Sequence, residues 1–127
     1  SKLAQILAIR NILKKYQVDF IKKNKRCILE GRDASTKILP NSNIKFFFIC
    51  NLNTAAKRRY GDLNKRLNNI SFIEVKRALY KRNLYDKNRR ISPLQKHPDA
   101  VVVNTTKMGK EAMLAKMSKI VEKYLNK

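Results

Sequence analysis

An α/β domain built on a parallel sheet is the fold class this sequence predicts, and three observations predict it. Short apolar runs at Cys27-Ile28-Leu29, Ile44-Lys45-Phe46-Phe47-Phe48-Ile49-Cys50 and Ala100-Val101-Val102-Val103 read as buried strands. Segments with helical periodicity separate them, and the near-continuous apolarity of 44–50 suits a strand covered on both faces. In such sheets, ligands sit beyond the carboxyl ends of the strands, which draws attention to Glu30-Gly31-Arg32-Asp33 just after the first run.

Taken in order, Leu3, Ile6, Leu7, Leu13, Tyr16 and Phe20 recur at helical spacing with Arg10, Lys14 and Lys15 off the stripe, predicting an amphipathic helix over about 2–22. The basic run Lys22-Lys23-Asn24-Lys25-Arg26 ends it. Pro40-Asn41-Ser42-Asn43 is a turn before the strongest strand. Thr54 is placed to cap a helix reaching about Leu67. Ser71-Phe72-Ile73-Glu74 has capping-box spacing and opens a helix with Phe72, Val75 and Leu79 on one side, stopped by Pro93. After His97-Pro98-Asp99 and the third strand, Gly109 precedes a last helix with Met113, Met117, Ile120, Val121 and Tyr124 as its core stripe. Three strands make a thin sheet for a free-standing parallel fold, so a further piece of it is expected.

The 127 residues suffice for one domain, and 43% hydrophobic content argues against global disorder. A net charge of +21 attracts polyanions, but lysine is spread through nearly every segment, so a solvated coat competes with a dedicated surface. No apolar run approaches a membrane span. Cys27 and Cys50 lack CxxC spacing and have one histidine for company, so zinc is not expected; both read as small buried hydrophobes in a reducing cytoplasm. His97 reads as a loop residue. The opening Ser1 and the absence of an initiator methionine suggest a start inside a longer polypeptide.

Arg82, Asp86 and Arg89 at i, i+4 and i+7 would put two guanidinium groups and a carboxylate on one helix face, a candidate clamp for an anion and for hydroxyls. Taken alone, a solvated helix face is the better reading of that trio. A second cluster at Arg32 and Asp33 shifts the balance toward a ligand that bears both phosphate and sugar.

The blocks Leu29-Glu30-Gly31-Arg32-Asp33, Thr36 to Leu39-Pro40, Ile44-Lys45-Phe46-Phe47-Phe48, Ala55 to Arg58-Arg59, Ser71-Phe72 with Glu74-Val75, Arg82/Asp86/Arg89, Ser92-Pro93-Leu94 and Asp99 to Thr106 occur in order. Together they resemble the bacterial cytidylate kinases, members of the P-loop nucleoside monophosphate kinases, along essentially the whole chain. The resemblance implies the carboxyl-terminal portion of a three-layer P-loop-kinase-like parallel sheet with flanking helices and a helical lid, the N-terminal strands and the P-loop missing. It implies one incomplete kinase domain over 1–127: CMP-binding and core residues in 1–53, lid-like helices in 54–93, and the last strand and C-terminal helix in 94–127. A missing central strand would leave a slot between the strands near residues 28 and 46.

Carried over position by position, the resemblance implies that Ser1, Arg10 and Asp33 read the cytosine base. Arg32 and Arg89 would hold the substrate phosphate and serve catalysis, while Arg82 and Asp86 contact the ribose. Arg58 and Arg59 would begin the lid on the ATP side, with a solvated helix face as the equal alternative. The implied activity is transfer of the ATP γ-phosphoryl group to CMP or dCMP with Mg2+, in the cytoplasm. No GxxxxGK[ST] occurs in these residues, so ATP would be held through a missing N-terminal segment. Departures from the pattern are Ser35 where the family has a glycine, Asn83 and Tyr85 in place of charged residues, and Asn104 in place of an aspartate. Two other readings stand beside the kinase: a split or decayed inactive fragment, and a basic RNA-binding module using lysines along 14–26 and 57–66. The absence of an RNA-binding motif and of interleaved aromatics places nucleic acid last.

Overall fold

The computed structural model describes residues 6–127, whose elements are α1 (Leu7–Lys23), β1 (Phe46–Ile49), α2 (Leu52–Asn64), α3 (Phe72–Asn88), β2 (Val101–Asn104) and α4 (Lys110–Leu125). The class is mixed α/β with a small parallel sheet. Two compact units divide the chain, one from Ser1–Asn43 with Tyr85–Pro98, the other from Ile44–Leu84 with Asp99–Lys127.

In the second unit β1 and β2 pair in parallel, Phe46 opposite Val101 through Ile49 opposite Asn104. The ladder is extended by Val101 N–H donating to the Lys45 carbonyl (2.9 Å) and Thr105 N–H to that of Ile49 (2.8 Å). Val103 and Ala56 are fully buried and Val75 nearly so, placing the unit's core on β2, α2 and α3. Tyr60 and Phe72 meet edge to face, with ring centroids 6.0 Å apart. Phe48 and Ile49, which alternate across β1, stay 47% and 40% exposed, so the two-sided cover expected for this strand is absent among the described residues. Helix α2 starts at Leu52 because Asn51 and not Thr54 is the cap: the Asn51 side chain accepts from Thr54 N–H at 2.7 Å. Gly109 does precede α4, whose Met113, Met117, Ile120 and Val121 are half-buried while Tyr124 is 39% exposed.

In the first unit, α1 ends where Asn24 donates from both its backbone and its side chain to the Phe20 carbonyl. The strand expected at Cys27-Ile28-Leu29 does not form. Ile28 is fully exposed, Cys27 is exposed, and no described strand lies alongside to take up the backbone groups of so short a run. The chain instead enters one π-helical turn over Ala34–Ile38, closed by Leu39 N–H donating to the Ala34 carbonyl at 2.7 Å. Ser35 sits in that turn without a positive φ, so the missing glycine causes no strain there. Helix α3 stops at Asn88, ahead of Pro93, because the chain folds back: Ser92 adopts φ 49° and Leu94 N–H donates to the Asp86 carbonyl at 2.7 Å.

Candidate functional site

Five of the singled-out side chains meet within the first unit. Arg10, on the inward side of α1, forms an ion pair with Asp33, and both side chains are largely shielded, at 16% and 13% exposure. The next residue back, Arg32, donates from Nε to Asp86 Oδ2 at 2.8 Å. Asp86 lies on the last turn of α3 and is 5% exposed; its other oxygen stands 3.6 Å from Arg89 Nη1. Arg89 is held from behind, donating from Nε to the Ser92 carbonyl at 2.7 Å.

Local structure explains this convergence. The loop before the π-helical turn carries Arg32 and Asp33 as consecutive residues, so one segment reaches α1 through Asp33 and the end of α3 through Arg32. Asp86 and Arg89 are three apart, neighbours on one helix face. Three guanidinium groups against two carboxylates leave one positive charge, in surroundings dry enough to strengthen each pairing. Such a set suits an anionic group flanked by hydroxyl or amino donors, because guanidinium forks match phosphate oxygens and carboxylates accept from those donors.

The remaining candidates lie elsewhere. Arg82 belongs to the second unit, where it lines a cleft of about 350 Å³ with Arg59, Leu63, Glu74, Val75, Ala78 and Leu79. Arg58 donates from Nη2 to the carbonyls of Thr105 (2.7 Å) and Met108 (2.8 Å), binding α2 to the loop after β2. Nothing in the spacing of two adjacent arginines distinguishes this tether from its neighbour. Sequence reasoning also missed the Ser92 carbonyl that steadies Arg89. Ser1 lies outside the described residues. Asn104, in the place of the usual aspartate, accepts from Thr106 N–H at 3.0 Å. Among the described residues no cluster of three His, Cys, Asp or Glu side chains could hold a metal, and no helix is long and apolar enough to cross a membrane.

Comparison with known proteins now decides the family, because a family model described as cytidylate kinase matches residues 1–123. The chain belongs to the cytidylate kinase family. Cytidylate kinase of Thermosipho melanesiensis is 35% identical over 122 residues, covering 96% of this chain and 56% of that protein. That of Clostridium tetani is 32% identical over 127 residues, 100% of this chain and 56% of its own length. The Thermotoga neapolitana cytidylate kinase is 35% identical over 125 residues, again 56% of its length. The chain therefore spans little more than half the length of these curated relatives, matching their carboxyl-terminal portion. All five converging side chains lie within the matched stretch of this cytidylate kinase family member.

Proposed function

We propose that the chain forms the substrate-binding portion of a cytidylate kinase, which moves the γ-phosphoryl group of ATP to a phosphate oxygen of CMP or dCMP to give CDP or dCDP. The observation that carries this reading is the bracketing of Asp86 by Arg32 and Arg89 beside the Arg10–Asp33 pair, in a chain of this family. Arg10 and Asp33, with Ser1, read the base; Asp86, with Arg82, takes the ribose hydroxyls. Arg32 and Arg89 hold the acceptor phosphate and offset its charge as the bond to the incoming phosphorus forms. No protein nucleophile is required, since phosphoryl transfer is promoted by positioning and charge neutralisation.

The residues in hand do not supply a cradle for ATP or magnesium. They contain no GxxxxGK[ST], Arg58 is occupied by backbone carbonyls, and no carboxylate cluster is present among the described residues. The ATP phosphates and Mg2+ are accordingly assigned to a segment outside these residues, which also completes a three-layer sheet in a single kinase domain. Helices α2 and α3 act as its lid, with Arg59 the better placed of the arginine pair to face ATP. The setting is the cytoplasm. The half-exposed apolar side chains on both sides of β1 support a missing layer.

Isothermal titration of the full chain with CMP, CDP and AMP tests the substrate half. Preference for the cytosine nucleotides is expected, and equal affinity for AMP would defeat the reading. A coupled kinase assay with the chain alone, then with a P-loop-bearing amino-terminal fragment added, tests the rest: turnover only in the mixture is expected, and its absence there marks a decayed fragment.

A further inference from the structure

Asp86 is the one charged side chain of the first unit that is almost wholly withdrawn from water, yet its two contacts are unequal. Arg32 makes a true hydrogen bond at 2.8 Å, from a side chain that is 45% exposed. Arg89, whose side chain is 8% exposed, stands at 3.6 Å, an ion pair too long for a hydrogen bond, and keeps its short contact for the Ser92 carbonyl. One arginine is thus tightly bonded but reachable by solvent, and the other is fixed in place but only loosely engaged. Both guanidinium groups retain N–H donors suited to a bidentate anion.

We infer that Asp86 is an internal counter-anion which an incoming phosphate must displace from Arg32 and Arg89, making it the residue that rejects phosphate not attached to a sugar. The inference rests on the substrate-binding reading above and deepens it. A bare phosphate that takes the two arginines leaves a buried carboxylate without its cations, which is strongly unfavourable. A nucleoside monophosphate takes the same arginines and offers ribose hydroxyls as new donors to the displaced carboxylate. Selectivity then comes from the cost of orphaning Asp86, not from any steric block on small anions.

The test is calorimetric titration of the full chain and of its Asp86→Asn variant with inorganic phosphate and with CMP. Asparagine cannot hold the arginines as a counter-anion, so phosphate affinity is expected to rise roughly tenfold while CMP affinity does not follow, collapsing the ratio between the two ligands. Asp19→Asn, the same change of charge at an exposed position on α1, is expected to move phosphate affinity by no more than about twofold. Phosphate affinity in Asp86→Asn that is unchanged or lower, or matched by Asp19→Asn, overturns the inference. Should Asp86→Asn lose its cooperative melt, the Arg32 Nε–H resonance of the unmutated chain replaces it as the readout. That resonance is expected to shift saturably with added phosphate, and a resonance unmoved at the highest soluble phosphate concentration overturns the inference equally. Inorganic phosphate carries no base, so a lack of cytosine preference in the unmutated chain would sink the kinase reading while leaving these phosphate results to stand or fall separately.

Discussion

The two compact units are centred on opposite kinds of chemistry. In the unit that holds β1 and β2, the deepest side chains are mainly apolar, with Val103 and Ala56 at 0% exposure and Val75 at 7%. In the unit that holds α1 and the end of α3, the one fully buried described residue is the carboxylate of Asp86, and the surrounding order comes from ion pairs and folded-back carbonyls. An apolar centre stabilises without regard to ligands. A charged centre is stabilised by the same groups that a ligand would claim, so fold and binding draw on one set of contacts in that unit.

The strongest way to break this contrast is Asp86→Ala. Removing the carboxylate strands two guanidinium groups and is expected to lower stability by about 3 kcal/mol, read by chemical denaturation; a loss below about 1 kcal/mol would mean that the charged centre contributes little. Val103→Ala opens a hole in the apolar centre and is expected to cost about 2 kcal/mol, with no sensitivity to added phosphate. Arg58→Ala deletes two charge-assisted bonds to backbone carbonyls at a partly exposed site, for an expected loss of about 1.5 kcal/mol by the same measurement. The smallest effect belongs to Ile28→Ser. A fully exposed side chain in an irregular segment should change the denaturation midpoint by less than about 0.5 kcal/mol in free energy, whereas a large loss would indicate the buried strand that its apolarity suggests.

How far the sequence could be read follows the same division. Strands β1 and β2 were legible because unbroken apolar runs of four or more residues have few other stable arrangements, and the helices because 3.6-residue periodicity survives the lysine-rich surroundings. Cys27-Ile28-Leu29 misled because three apolar residues carry no signal of whether a neighbour exists to pair with them. Thr54 and Asn51 are both competent caps, and only the geometry of the turn selects the earlier one. Within the candidate site, the Asp86–Arg89 contact follows from helical spacing. The Arg32–Asp86 contact joins residues 54 apart, and no local pattern announces it; family resemblance alone pointed that way. The Arg58 tether had no signal at all, since its partners are carbonyl oxygens that every residue possesses.

That last contact has an evolutionary side. Because the Arg58 guanidinium is aimed at the main-chain oxygen of Met108, nothing in the bond depends on methionine being there. Position 108 is free to drift through many side chains while the turn stays fastened to α2, so its shape can outlast its spelling.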